Sequence, residues 1–179
     1  MSKTIYLVSG EMEREALRKT FKINAMLIGN SHTAKANVVA KFVSSAVIPK
    51  RLQTSRVVII MDRESRPETC TDFRDKLLEE LSAKFPEIEF HIAIADMDTE
   101  CWIFSDTETC SKYFKKRISP KAIFEGTCGY TSIKKHIGPG RYEKMTDGVR
   151  LMGLVDWKII EKKSLSAAMS KISTLLASV

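Results

Sequence analysis

The sequence predicts an α/β fold: a mainly parallel, four-stranded sheet with helices on both faces, followed by an irregular helical C-terminal part. Three observations carry this. Short β-prone runs alternate with helix-forming stretches through the first hundred residues, and strands joined by helical crossovers pair in parallel. One run, Val57-Val58-Ile59-Ile60, is continuously apolar, as suits a central strand covered on both faces. Glycine and proline then crowd the segment from Pro120 to Gly140, where the alternation ends.

Each element has its own signal. Thr4 to Val8 is short, apolar and β-prone, stops at Ser9-Gly10, and leads into Glu11 to Thr20, rich in helix formers. Ile23 to Ile28 repeats the strand signal and stops at Gly29-Asn30. His32 to Val47 places Val38, Val39, Phe42, Val43 and Ala46 at helical spacing, and Pro49 is expected to end that helix. The central strand, Arg56 to Met61, ends in Asp62-Arg63-Glu64. An amphipathic helix over 71–85 is broken by Pro86, and a fourth strand over 89–95 runs out at Asp96-Met97-Asp98. Short helices follow at 100–105 and 108–116, then loops and helical turns around Gly126, Gly129, Gly138, Pro139 and Gly140, and a last helix over 164–177 with Ser164 as its N-cap.

A chain of 179 residues has the length of one domain, 1–179, with 1–106 as the sheet core and 107–179 as its extension. It can bury roughly two-thirds of its unfolded surface. Cys70, Cys101, Cys110 and Cys128 form no C-x-x-C pair and no signal peptide precedes them, so free thiols in a reducing, cytoplasmic setting are expected, without a zinc site. No window approaches the apolar length of a membrane span. The net charge of +7 is uneven: residues 1–106 hold 15 Lys and Arg against 16 Asp and Glu, residues 107–179 hold 14 against 6. A basic half beside an acidic one suits a polyanion surface next to a cation centre, or a merely solvated basic face.

In an open parallel sheet, ligands bind beyond the carboxyl ends of the strands. Here those positions are acidic: Glu11 and Glu13 after the first strand, Asp62 and Glu64 after the central one, Asp96, Asp98 and Glu100 after the fourth. Carboxylates one residue apart can approach one cation, and hard oxygen ligands suit Mg²⁺ or Mn²⁺. The plain alternative is that they cap helix N-termini, where the macrodipole favours negative charge.

Val8-Ser9-Gly10-Glu11-Met12-Glu13, Ile60-Met61-Asp62-Arg63-Glu64 and Glu100-Cys101-Trp102-Ile103-Phe104-Ser105-Asp106 resemble the three signatures of a small Toprim-like family of unknown function. Arg141-Tyr142-x-Lys144, with Asp147 and Asp156, is similar to that family's late Tyr-x-Lys segment. The resemblance implies a Toprim or Rossmann-like sheet whose carboxylates hold Mg²⁺, related to nucleases of the overcoming-lysogenization-defect type. It also suggests an ABC-type ATPase partner in phage defence. One position departs: Ser9 stands where the family's first motif begins with glutamate, and a hydroxyl supplies neither a base nor a negative charge. Either Glu13, one helical turn on, takes over with Asp62 and Glu64, or this copy binds without cutting.

Lys112, Lys115, Lys116, Arg117 and Lys121 surround Tyr113 and Phe114, so the lysines could grip phosphates while an aromatic stacks on a base, or form a solvated face over buried rings. Lys134, Lys135, His136, Arg141, Lys144 and Arg150 extend the basic character. Trp102 reads as core, His91 as a strand residue, and Gly138-Pro139-Gly140 as a turn without the Gly-Lys-Ser/Thr of a phosphate loop. A flavodoxin-like phosphate binder is disfavoured because Glu11 and Glu13 would repel the anion. The expected function is therefore a Mg²⁺- or Mn²⁺-dependent nuclease acting on DNA or RNA. Glu13, Asp62 and Glu64 would be catalytic and, with Glu100, metal-binding, while Lys112, Lys115, Lys116, Arg117 and Lys144 hold the nucleic acid. The alternative is a catalytically degenerate binding or regulatory subunit; a homo-oligomer stays open.

Overall fold

The computed structural model describes residues 3–29, 33–119, 126, 129–163 and 174. It begins with β1 (Lys3–Val8), α1 (Glu11–Thr20), β2 (Met26–Leu27), α2 (Ala36–Val47), a 3-10 turn (Ile48–Gln53), β3 (Thr54–Asp62), α3 (Cys70–Lys84) and β4 (Glu89–Ala95). Then come α4 (Glu100–Ser105), α5 (Thr107–Phe114), α6 (Gly129–Ile137), a π-helical turn (Lys144–Gly148), α7 (Val149–Leu154) and α8 (Trp157–Lys163). The four strands run parallel in the order β2-β1-β3-β4, flanked by helices, the α/β architecture read from the sequence. The connection from β1 moves one way to β2, and the later strands add on the other side. The switch point lies between the carboxyl ends of β1 and β3.

The continuous apolar run of β3 divides by alternation. Val57, Ile59 and Met61 pack with Val39 and Val43 of α2 and Phe73, Leu77 and Leu81 of α3. Val58 and Ile60 face α1, α4 and the C-terminal helices. On that second face β4 places the small residues Ala93 and Ala95 in the same cluster as Trp102, which is 1% exposed. Trp102 thus lies in the core, and His91 is a buried residue of β4.

Several expectations are adjusted. The second strand shrinks from 23–28 to Met26–Leu27. The Ile23 N–H donates back to Leu17 O at the end of α1, after Lys22 adopts a left-handed backbone (φ 56°), so the chain is turning where a strand was expected. α2 starts at Ala36, and His32 lies outside the described residues. α2 ends at Val47, as expected, and Pro49 sits in the first turn of the 3-10 segment that follows, where its missing N–H costs nothing. The glycine-rich stretch, expected as loops and short helical turns, contains the two-turn helix α6. The expected helix over 164–177 falls, except for Thr174, outside the described residues, as do Lys121 and Cys128. Among the described residues no helix is long and apolar enough to cross a membrane.

Candidate functional site

Glu13 stands in the first turn of α1, directly after the β1 turn, and is fully buried. Gly10 makes room for it: a Cβ there would fall on Glu13 Oε2. Ser9 ties the two central strands together, its N–H donating to Ile60 O (3.1 Å) and its Oγ accepting from Asp62 N–H (3.1 Å). Asp62 ends β3 and is 6% exposed. Its Oδ1 accepts the Thr99 N–H at 2.8 Å, while the Thr99 hydroxyl donates to Glu13 Oε1. One buried threonine therefore holds two carboxylates from two different strand ends. The next residue, Glu100, opens α4 and is fully buried, and Lys144 Nζ lies 3.0 Å from its Oε1. Glu13, Asp62 and Glu100 thus all act on one ammonium, which contacts Glu100, beside the switch point of the sheet.

The electrostatics follow from this crowding. Burial, followed by the charge of Glu13, raises the Asp62 carboxyl well above the ordinary range, and only Lys144 opposes the shift. Burial also raises Glu100, with Asp98 and Glu13 adding to it against Lys144. Burial disfavours the Lys144 ammonium, but Glu100 and Glu13 outweigh that and hold it charged more firmly than a free lysine. Tyr142, buried beside Glu100, is held protonated. Two oxygens stand out: Glu13 Oε2 and Glu100 Oε2 are buried without a hydrogen-bond partner. Glu100 Oε1 has no hydrogen bond of good geometry either, its neighbour being the Lys144 ammonium. Buried carboxylate oxygens left in this way are costly unless a proton or a cation meets them.

Other residues singled out in the sequence go elsewhere. Glu64 has a left-handed backbone (φ 53°), donates its N–H to Met97 O, and acts on the buried guanidinium of Arg66; the groups acting most strongly on Asp62 are Glu13, Lys144, Glu100 and Asp98. Glu64 is therefore not brought into the cluster through Asp62, although it follows within two residues. The main-chain carbonyls around it are tied down by Arg66, whose Nη1 donates to Asp62 O and Arg63 O and whose Nε donates to Ala34 O. Glu11 pairs with Arg14 on the surface and Asp96 with Arg63. Asp98 serves the capping alternative: its carboxylate accepts Gly129 N–H (3.1 Å) and Tyr130 N–H (3.4 Å) at the start of α6. That long-range cap is why a helix forms where local composition reads as loop.

The basic run divides as well. Lys112 pairs with Glu108 one turn back (2.7 Å), Lys115 ends α5 in a left-handed backbone, and Lys116 and Arg117 are exposed. Tyr113 and Phe114 are packed on the core, with Tyr113 Oη donating to Asp147 (2.8 Å) and Phe114 stacked on Phe104. Lys144, grouped with these lysines from the sequence, belongs instead to the acidic cluster. Thr99 was not singled out at all; nothing in its local sequence distinguishes a bridging threonine from a helix-start residue.

Among the described residues no group of three His, Cys, Asp or Glu side chains is placed so that, as it stands, it could hold a metal ion. The donor set nonetheless fits a hard divalent cation: three buried carboxylates face one ammonium, and two of their oxygens have no partner. Glu13, Asp62 and Glu100 are the residues that could hold Mg²⁺ or Mn²⁺. A scan against protein-family models and searches of curated proteins and of solved structures all return no match.

Proposed function

We propose that the chain is a Mg²⁺- or Mn²⁺-dependent phosphodiester-cleaving nuclease, with Glu13, Asp62 and Glu100 as the cation-holding carboxylates. The observation that carries this reading is the pair of buried, unpartnered oxygens, Glu13 Oε2 and Glu100 Oε2, at the carboxyl end of a parallel sheet. A bound divalent ion would supply water activation and charge stabilisation at a scissile phosphodiester. The protein's own part is positioning: Thr99 fixes Asp62 and Glu13, and Ser9 fixes the backbone of Asp62. Glu64 stays in this reading only as a group beside the site that could act through water. The exposed Lys115, Lys116 and Arg117, together with Lys112, would position a DNA or RNA backbone. A cytoplasmic role in phage defence beside an ABC-type ATPase is part of the same proposal, resting on the sequence resemblance alone.

A second reading is favoured by a specific pair of facts: Ser9 supplies no carboxylate, and Lys144 already partners Glu100. On this reading the scaffold is catalytically degenerate and acts as a nucleic-acid-binding or regulatory subunit. The deciding experiment is Mn²⁺ binding followed by electron paramagnetic resonance, with cleavage of labelled single- and double-stranded DNA and RNA, for wild type and Asp62→Asn in parallel. Binding and cleavage that both vanish in the variant support the enzyme; a folded wild type that neither binds nor cuts supports the scaffold.

A further inference from the structure

The most unusual feature of the cluster is the ammonium within it. Three carboxylates from β3, α1 and α4 converge, yet the charge that partners Glu100 comes from Lys144, more than forty residues later on the π-helical turn. Its side chain is 39% exposed, whereas that of Glu100 is fully buried, so the lysine reaches in from the solvent side and has an open way out. We propose that Lys144 is a built-in counterion that holds the site while no divalent cation is bound, and that cation binding displaces it. This inference rests on the cation site proposed above.

Two arguments support displacement rather than coexistence. A cation that took Glu100 as a ligand would set like charge against like unless the ammonium left, because Lys144 Nζ is already at contact distance from Glu100 Oε1. The turn that carries Lys144, moreover, is anchored independently of that contact. The Glu143 carboxylate accepts Met145 N–H (3.1 Å) and Thr146 N–H (2.5 Å), and Asp147 accepts both Glu143 N–H (2.7 Å) and the Tyr113 hydroxyl (2.8 Å). Gly148 is pressed against Met12 and the Tyr142 hydroxyl, where a Cβ would not fit. Release of the lysine therefore needs only rotation about its own side-chain bonds. One ammonium also neutralises only part of three carboxylates, so the resting state keeps a net negative potential that draws a divalent ion in.

The test reads the lysine directly. Wild-type protein is treated briefly with N-hydroxysuccinimidyl acetate in EDTA or in saturating Mn²⁺, and acetylation of Lys144 is quantified by peptide mass spectrometry, with Lys112 as internal reference. We expect Lys144 labelling to rise severalfold with Mn²⁺ while Lys112 stays constant; labelling that is unchanged or falls overturns the displacement. In parallel, Mn²⁺ affinity is measured for Lys144→Met and Lys144→Arg. Loss of the competing charge should tighten binding about tenfold or more, as expected for one unit charge at close range in a partly buried site, and the arginine variant should bind no tighter than wild type. If wild type binds Mn²⁺ but neither the labelling nor the methionine variant shows a change, the displacement alone is wrong. If neither wild type nor Lys144→Met binds, the cation site itself is wrong and the inference falls with it.

Discussion

Asp62→Asn should make the protein more stable without metal and less stable with it, and this change of sign follows from the geometry. The substitution is nearly isosteric, and the amide oxygen can still accept the Thr99 N–H that Asp62 Oδ1 accepts at 2.8 Å. What it removes is one of three buried negative charges that share a single ammonium. A like-charge pair at roughly 5 Å costs about 3 kcal/mol at an effective dielectric near 20. Lys144 offsets part of this, so a net gain of about 1–2 kcal/mol is expected from removing one carboxylate near pH 8. For a chain of this size that corresponds to a rise of about 2–8 °C in Tm. A cation present at a hundred times its Kd stabilises the wild type by about 2.7 kcal/mol, most of which the variant should forgo. Scanning calorimetry of both proteins in EDTA and in Mn²⁺ gives the four numbers. A variant that is less stable than wild type in EDTA would refute the premise that these carboxylates strain one another.

The same crowding makes a pH prediction. Asp62 and Glu100 are both raised, chiefly by burial, so the native state holds their protons more tightly than the unfolded chain, whose values lie near 3.8 and 4.5. Their contribution to stability is full below those values and is lost as pH rises through the raised ones, so the advantage of Asp62→Asn in EDTA should shrink from pH 8 to pH 5; a difference independent of pH would contradict the shift. Glu64→Gln should lower Mn²⁺ affinity far less than Asp62→Asn does, because Glu64 acts on Arg66 while the groups acting on Asp62 are Glu13, Lys144, Glu100 and Asp98, and a loss as large as that of Asp62→Asn in the same titration would place Glu64 in the site. Neutralising Lys115, Lys116 and Arg117 together should weaken DNA or RNA binding and reduce the slope of log K against log salt by about 2 to 3; an unaltered slope in fluorescence anisotropy would move the surface elsewhere.

The fold was legible in the sequence where the signal is local. An unbroken Val57–Ile60 run suits a strand covered on both faces, and the split of its side chains between two core clusters is the physical form of that expectation. The second strand was overread because Ile23 is apolar for another reason, packing beneath the end of α1 in the first of those clusters. The full length of α6 is not legible locally because the carboxylate that caps it, Asp98, is 31 residues away, and no local rule registers a cap supplied from another element.

The same distinction runs through the site. Acidic residues follow three of the four strands, but spacing alone does not say which of them turns inward. Asp62 and Glu64 stand two positions apart and diverge because the backbone turns left-handed at Glu64, which sends its N–H to Met97 O and leaves Asp62 to Thr99. Glu13, Asp62 and Glu100 are united by a threonine that the sequence did not distinguish, and partnered by a lysine first counted among phosphate-binding residues. The charge asymmetry of the two halves thus has a structural expression beyond a basic surface: the basic half sends one ammonium into the acidic centre. If a divalent ion binds here as proposed, it competes with Lys144 for the Glu100 carboxylate, and that contact sets the terms of binding.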